Sequence, residues 1–293
     1  MRARMLSVHL IAVTAMVFAP MAIAGSVTST GFTPATETAA AQSGTDESFD
    51  RVLNLYVRDG LVSYSSLRVT DRPVIDRYVD ARSSAPPDFD RWSRSRQLAF
   101  WINGYNALVL RTVLDHYPIR GSSPAYPPDS IRQVPGAFDR TLHQIAGRRL
   151  TLDDIEQLVL ASFKDPRAFL ALGRGAVGSG RLRSEVYSGA KLDDQLKAVV
   201  EEFSTEPWGI TLDRMGVVVR VNQIIGWRDS EFIAAYADRG WLESARTPLE
   251  RAVLNLIEPA LFQSERVFLT ENKFRFEYQE FDWRLNDLTG GRR

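Results

Sequence analysis

The chain contains no cysteine, and this absence excludes several kinds of site. Its 293 residues form no disulfide, provide no thiol nucleophile and offer no cysteine ligand for zinc. Histidine is scarce as well, with only His9, His116 and His143, so a histidine-rich metal site is not expected. Without disulfides, the fold must be stabilised by its core, which is feasible because a domain of about 300 residues buries about three quarters of its unfolded surface.

The chain also lacks a net charge. Lysine plus arginine number 36, and aspartate plus glutamate number 36 as well. Nucleic acids and anionic membrane surfaces recruit proteins through a field of positive charge. The composition therefore argues against a nucleic-acid partner, while 44% apolar and 25% charged residues are typical of a globular protein.

One strongly apolar run lies near the beginning of the chain. Two arginines precede the apolar residues 5–19, Pro20 interrupts the run, and residues 22–24 read Ala-Ile-Ala. This layout is typical of a secretory signal peptide, and the run is shorter than the roughly 20 apolar residues of a membrane span. We expect residues 1–24 to be removed and the protein to be exported, to the periplasm or outside the cell, without a remaining membrane span.

The rest of the chain indicates a linker followed by one domain. Residues 25–48 are rich in Thr, Ala, Ser and Gly and offer little to bury, which predicts a flexible linker. The domain is expected to span residues 49–293, with order beginning near Phe49. Helical patterns outnumber the short, scattered strand patterns, and no period repeats. The sequence therefore predicts a single, mainly helical α+β domain with a small antiparallel sheet.

The sequence QLAFWINGYNALVLRTVLDHYP (residues 97–118) predicts a long central helix. It is apolar nearly all round between Leu98 and Leu110 and contains no proline before its last residue, so we expect the helix to be buried. Asn103 and Asn106 lie three residues apart within it. Because buried amides require hydrogen-bond partners, the pair is interpreted either as an anchor for adjacent loops or as ligand-facing amides at the floor of a cleft.

Local signals predict further elements after this helix. Residues 141–151 read as a hairpin that turns near Gly147 and places His143 at the surface. A capping box with Asp154 then begins a helix, and GITLDRMGVVVRV (residues 209–221) predicts a second hairpin. Four tryptophans are expected in the core rather than in a sugar-binding platform: Trp101, Trp208, Trp227 and Trp241.

The sequence LGRGAVGSGRLR (residues 172–183) carries glycines at the spacing G-x-G-x-x-G. A dinucleotide-binding loop requires a preceding strand and a helix directly after it within a βαβ unit, and neither the following residues nor the wider pattern provides these. The nucleophile-elbow pattern G-x-S-x-G is also absent around Ser179, because Val177 and Arg181 occupy its glycine positions. The sequence thus predicts no bound cofactor, and Ser179 is expected to lie in a solvent-accessible loop.

Seven segments occur in one order along the chain: YVRDGLVSYSSL (residues 56–67), FWINGYNALVL (100–110), LTLDDIEQLVL (150–160), DPRAFLAL (165–172), LRSEVYSGAKLDDQL (182–196), IIGWRDSEF (224–232) and FDWRLN (281–286). Together they closely resemble the domain-of-unknown-function 547 family over roughly residues 49–286. The combination is specific, although single segments are not.

The resemblance implies a site whose reactive side chains this chain has lost. Family members usually carry a Cys-Pro pair after the Asp-Pro-Arg segment, often an earlier cysteine, and a Glu-His pair. A cysteine with a histidine and a carboxylate makes up a thiol site, so the resemblance implies a papain- or transglutaminase-like chemistry for such members and leaves open a core of that kind. Glu156 is retained here, whereas other residues occupy the remaining positions: Ser179-Gly180 for Cys-Pro, Arg174 for the earlier cysteine, Gln157 for the histidine of Glu-His and Phe169 for a frequent histidine.

These departures leave three readings of the function. In the favoured one, the loop is the remnant of a thiol site, and the exported protein binds an unknown ligand or an envelope protein. In the second, a hydrolase or acyltransferase uses Ser179 with His143 and Glu156, which requires the serine and histidine side chains to converge. In the third, the protein is an envelope scaffold without a pocket. Arg167 is expected to pair with a carboxylate such as Glu156 or Asp154.

Overall fold

A computed structural model of the chain describes residues 34–240, 246–271 and 273–290. The predicted signal peptide (residues 1–24) and residues 25–33 lie outside these ranges. The helices are α1 (Pro34–Tyr56), α2 (Tyr64–Thr70), α3 (Arg72–Ala81), α4 (Arg94–His116), α5 (Leu152–Phe163), α6 (Arg167–Ala171), α7 (Leu192–Thr205), α8 (Asp229–Tyr236), α9 (Pro248–Ile257) and α10 (Gln263–Thr270). The strands are β1 (Val57–Arg58), β2 (Leu61–Val62), β3 (His143–Ile145), β4 (Arg148–Leu150), β5 (Ile210–Asp213), β6 (Val218–Asn222) and β7 (Arg275–Gln279).

The strands form two small hairpins and one three-stranded sheet. β1 pairs antiparallel with β2, and β3 pairs antiparallel with β4. In the larger sheet, β5 and β6 are antiparallel with Ile210 opposite Val221, whereas β6 and β7 are parallel with Val219 opposite Phe276. The predicted mainly helical α+β class with small antiparallel sheets is confirmed, and the parallel pairing of β7 is an addition that the sequence did not predict.

Helix α4 lies at the centre of the hydrophobic core. The Ser93 hydroxyl accepts a hydrogen bond from the Arg96 backbone nitrogen (3.2 Å) and so begins the helix. Every residue from Leu98 to Leu110 is buried, and helices α3, α5 and α7 pack against α4. The predicted buried central helix is confirmed. Within the described ranges, no helix has both the length and the apolar character needed to cross a membrane.

Helix α1 begins well before the predicted start of the domain. It starts at Pro34 and therefore overlaps the linker predicted for residues 25–48. Phe49 is fully buried, as the apolar pattern predicted, but Asp46 already contacts the fold by accepting a hydrogen bond from Arg82, a buried arginine. The predicted start of order near Phe49 is too late because a polar side chain can dock onto a buried cation, which an apolar pattern does not reveal.

The glycine-rich loop after α6 is enclosed by other parts of the chain. All but one of residues 172–180 are buried. A Cβ atom at Gly180 would lie 1.6 Å from the Leu170 carbonyl oxygen, and one at Gly178 would lie 2.5 Å from the Asp282 backbone nitrogen. Glycine is required at these two positions because other backbone segments approach too closely for a side chain.

The C-terminal segment FDWRLN (residues 281–286) covers this loop and joins it to the start of the domain. The Val177 backbone nitrogen donates a hydrogen bond to the carbonyl oxygen of Arg284 (2.9 Å). The Asn286 side chain accepts a hydrogen bond from the Tyr64 hydroxyl (2.7 Å) and donates one to the Gly60 carbonyl oxygen (2.8 Å). The segment therefore closes the domain onto its core.

Candidate functional site

A buried ion cluster lies where the family resemblance led us to expect a thiol site. The Glu156 carboxylate, in α5, accepts a hydrogen bond from Arg174 Nη2 at 2.5 Å through one oxygen. Through its other oxygen it accepts two from Arg228, from Nε at 2.9 Å and from Nη2 at 2.5 Å. The Arg174 guanidinium carbon lies 4.3 Å from the centre of the Phe169 ring. The retained Glu156 and two of the altered family positions, Phe169 and Arg174, therefore meet in one place, together with an arginine from the segment before α8.

The charges within the ion cluster hold one another ionised. Burial alone would raise the pKa of Glu156, but Arg174 and Arg228 outweigh burial and hold that pKa below its ordinary value. Burial alone would lower the pKa of Arg174, but Glu156 outweighs it and raises that pKa. Because two guanidinium groups share one carboxylate, the cluster keeps a net positive charge. A carboxylate bound in this way is not free to accept a proton from a neighbouring side chain.

Ser179 lies beside the cluster but is enclosed by backbone groups. Its hydroxyl donates a hydrogen bond to the Ala176 carbonyl oxygen (2.8 Å) and accepts one from the Arg174 backbone nitrogen (3.2 Å). The residue is only 3% exposed. The expected solvent-accessible position is wrong, because the C-terminal segment covers the loop. The hydroxyl thus connects two turns of the loop.

His143 does not join the other two candidate catalytic residues. It is 5% exposed, and its Nε2 atom has no hydrogen-bond partner within the described part of the chain. Burial and, to a smaller extent, Arg111 lower the pKa of His143 while Asp115 opposes both, and the resulting pKa is about 4. The hairpin is where the sequence predicted it, but the surface position is wrong because the hairpin packs against α4. The convergence with Ser179 that the second reading requires is therefore not found.

The two amides of α4 hold neighbouring loops in place. Asn106 donates a hydrogen bond to the Ala171 carbonyl oxygen (3.1 Å) and accepts one from the Gly173 backbone nitrogen (2.8 Å). Asn103 donates to the Tyr187 carbonyl oxygen (2.7 Å) and accepts from the backbone nitrogen of the same residue (2.9 Å). Both ends of each amide are used, which matches the loop-anchoring interpretation.

Arg167 pairs with carboxylates other than those predicted. Its guanidinium donates to Asp165 through Nε (2.9 Å) and Nη2 (2.7 Å), and to Asp193 through Nη1 (3.0 Å). The predicted partners are engaged elsewhere. Glu156 is bound by two other arginines, and Asp154 completes the predicted capping box of α5. Arg167 does pair with carboxylates, as predicted, but the named partners are wrong because the Asp-Pro-Arg turn itself supplies the nearest carboxylate.

Two cavities open close to these residues. A cleft of about 690 Å³ lies between α1 and the start of α4, and Asn103 lines it together with Arg82 and Asp46. A second cavity, of about 400 Å³, lies over the ion cluster and is here called the arginine cavity. It is lined by Arg132, Phe138, Asp153, Asp154, Glu156, Gln157, Arg174, Trp227 and Arg228. The third reading, a scaffold, expected no pocket, and these two cavities count against it.

The arginine cavity includes residues that the sequence did not single out. Arg132 comes from the Pro/Ser-rich loop after α4, whose composition carries no periodic signal. Trp227 is 38% exposed and stacks on Trp283, with ring centres 5.8 Å apart and planes 14° apart. The expected core position is therefore wrong for Trp227. It holds for Trp101, which is buried, while Trp241 lies outside the described residues.

The charge at the arginine cavity favours an anion over a metal ion. In the ranges that the structure describes, no group of three or more His, Cys, Asp or Glu side chains is arranged to hold a metal. Glu156 already has two cationic partners, and Arg132 adds a further positive charge. A cation at this position would be repelled by those guanidinium groups.

Comparison with known proteins finds a family match for one part of the chain. Residues 89–203 match the family model described as "Protein of unknown function, DUF547". This range contains α4 to α6 and all but the last two residues of α7, and with them Glu156, Phe169, Arg174 and Ser179. No curated protein and no solved structure shows significant similarity to the chain. Since the family description names no activity, the function must be inferred from the residues of the site.

Proposed function

Because the chain carries a DUF547 domain at residues 89–203, we propose that this member of the family acts by binding a ligand rather than by covalent catalysis. One observation carries the proposal. The Glu156 carboxylate, the remaining polar group of the expected thiol site, is bound on both oxygens by Arg174 and Arg228. The place of a reactive centre is thus taken by a closed ion cluster.

The alternative of a serine hydrolase or acyltransferase lacks an activated nucleophile. A serine hydroxyl requires a base within hydrogen-bond reach, and the described partners of Ser179 Oγ are backbone groups of the loop. His143 is buried in the β3–β4 hairpin, beside charges of α4. Gln157, at the position of the family histidine, lines the cavity but carries an amide that cannot take up a proton at neutral pH.

The arginine cavity supports a binding role. It lies directly over the ion cluster and is open to solvent, with an exposed tryptophan at one wall. Arg132 Nε is buried and has no hydrogen-bond partner among the described residues. Buried polar atoms without partners are uncommon in folded proteins, and a ligand in the cavity would lie next to this one. Small-molecule sites combine such a concave surface with a few converging polar groups.

A labelling experiment tests whether the serine is reactive. The purified protein and its Ser179→Ala variant are treated with a fluorophosphonate probe, which modifies activated serines, with a known serine hydrolase as the positive control. We expect both proteins to remain unlabelled. Labelling of the wild type that disappears in Ser179→Ala would show an active nucleophile and overturn the proposal.

We further propose that the protein is exported, where it would meet ligands or proteins of the cell envelope. The basic start, the apolar run and the Ala-Ile-Ala pattern of residues 22–24 support this. Mass spectrometry of the protein recovered from its native cells is expected to find Gly25 at the N-terminus. Recovery of the chain with residues 1–24 intact would contradict export by a cleaved signal.

A further inference from the structure

The guanidinium group of Arg132 lies among aromatic rings and forms no ion pair with a carboxylate of the described residues. Its Cζ atom lies 4.5 Å from the centre of the Trp283 ring and 4.7 Å from that of Phe138. Within the described residues its side chain forms no hydrogen bond and no ion pair. A planar guanidinium whose orientation is set by aromatic packing is prepared to bind a carboxylate through two parallel hydrogen bonds.

The other charges at the arginine cavity favour a single carboxylate over a polyanion. The ion cluster contributes a net positive charge, whereas Asp153 and Asp154 contribute negative charge at the rim. Asp154 is engaged, because it accepts a hydrogen bond from the Thr151 backbone nitrogen (2.9 Å). Burial raises the pKa of Asp153 and the nearby Glu156 raises it further, while Arg132 and Arg174 oppose both without bringing the pKa back to its ordinary value. A ligand with several negative charges would be repelled by these carboxylates, while one carboxylate on Arg132 would not exceed the available positive charge.

Beside Arg132 the cavity offers an apolar surface with hydrogen-bonding groups near it. Trp227 stacks on Trp283 on one side and lines the cavity, where more than a third of its surface is exposed. An indole face packs well against the C–H face of a saturated ring. Asp153 and Gln157 are both exposed and line the same cavity. Their side chains can accept and donate hydrogen bonds to hydroxyl groups.

We infer that the arginine cavity binds an acidic sugar of the uronic acid class, with its carboxylate on Arg132 and its ring on Trp227. This assignment rests on the proposed binding function and gives it a ligand class. The volume of about 400 Å³ lies within the range of small-molecule sites and suits a single sugar unit of a longer chain. Asp153 and Gln157 then contact the ring hydroxyls.

A titration with three probes tests the contributions of the carboxylate and of the sugar ring to binding separately. The indole N–H resonances of the ¹⁵N-labelled protein are followed during addition of D-glucuronate, D-glucose or acetate, and those of Trp227 and Trp283 are assigned with single Trp→Phe variants. We expect glucuronate to shift both resonances at concentrations about tenfold lower than the other two probes, since each half-ligand lacks one of the two contacts. Equal responses to glucuronate and glucose would overturn the role of the carboxylate, and equal responses to glucuronate and acetate that of the ring.

Two variants locate the carboxylate. Arg132→Gln is expected to weaken glucuronate binding about tenfold or more and to leave the glucose response unchanged. Arg284→Gln is the matched control, because this arginine is exposed, pairs with Asp282 and does not line the cavity. Equal losses in both variants, or no shift with glucuronate up to about 50 mM, would overturn the assignment. Neither outcome depends on the reactivity of Ser179, so failure of this inference is distinguishable from failure of the proposed function.

Discussion

The regions around Glu156 and around His143 both contain a buried ionisable side chain, but the first side chain is held charged and the second is held neutral. Glu156 is surrounded by two arginines that keep it charged, although burial alone would raise its pKa. His143 has no hydrogen-bond partner at Nε2 within the described residues, and burial lowers its pKa to about 4, so it is neutral near pH 7. The partners of a buried group, more than its burial, thus decide its charge.

This difference supports the proposal that the candidate residues form no catalytic group. A general base must be able to take up a proton near neutral pH and must reach the nucleophile. Glu156 binds Arg174, in the loop of Ser179, but two arginines hold its carboxylate ionised. His143 forms no ion pair within the described residues, but its pKa is low and it lies in a different element from Ser179. Neither side chain therefore has both properties of a catalytic base.

The largest expected effect comes from removing the charge of Glu156. Glu156→Gln leaves Arg174 buried without a neutralising partner, and breaking a buried ion pair in this way costs about 3–5 kcal/mol of unfolding free energy. Urea or guanidinium unfolding measures the loss. Glu201→Gln, an exposed glutamate on α7, serves as the control and should stay within about 0.5 kcal/mol. Equal stabilities of the two variants would show that the ion cluster is not needed for the fold.

The second expected effect is a pH dependence of the unfolding free energy that arises from His143. Its folded pKa of about 4 lies below the ordinary value of 6.5, so the unfolded chain binds the proton more readily and stability falls as pH falls from 6.5 towards 4. Between pH 7 and pH 5 this linkage costs about 2 kcal/mol. Unfolding at the two pH values should therefore show a smaller loss for His143→Gln than for the wild type.

The control for this comparison is His116→Gln, at the end of α4. The ring of His116 lies 2.8 Å from the Thr112 carbonyl oxygen and is partly exposed. We expect this variant to retain the pH dependence of the wild type. The account of His143 as a buried neutral imidazole would be wrong if His143→Gln kept the full dependence.

The smallest expected difference is in stability, between variants of two side chains that hold the glycine-rich loop. Asn106→Leu leaves the Ala171 carbonyl and the Gly173 N–H without their side-chain partner, at a cost of about 1–3 kcal/mol. Ser179→Ala leaves the Arg174 N–H without its acceptor, but the Ala176 carbonyl still accepts a hydrogen bond from the backbone nitrogen of residue 179 (3.2 Å). Because one backbone group rather than two loses its partner, we expect a loss about 1 kcal/mol smaller. Chemical denaturation of both variants checks the order, and the reverse order would contradict it.

The sequence grouped three residues that lie together in the structure, but it did not predict how they interact. The retained Glu156 and two altered family positions, Phe169 and Arg174, meet in one place. Nothing in their spacing indicated that Arg174 would bind Glu156, or that Arg228 would complete the cluster. The lining of the cavity by Arg132 was missed as well, since its loop carries no periodic pattern.

Local sequence patterns are enough to predict the buried helix α4, the two hairpins after it and the capping box of α5, and with them the α+β class, because each element depends on side chains only a few residues apart. They do not reveal the parallel pairing of β7, the burial of Ser179 and His143, or the partners of Glu156, which are seen only in the folded chain. These contacts join elements far apart in the chain. Their formation depends on how helices and loops pack, and a local pattern of apolar and polar residues carries no information about that choice of partner.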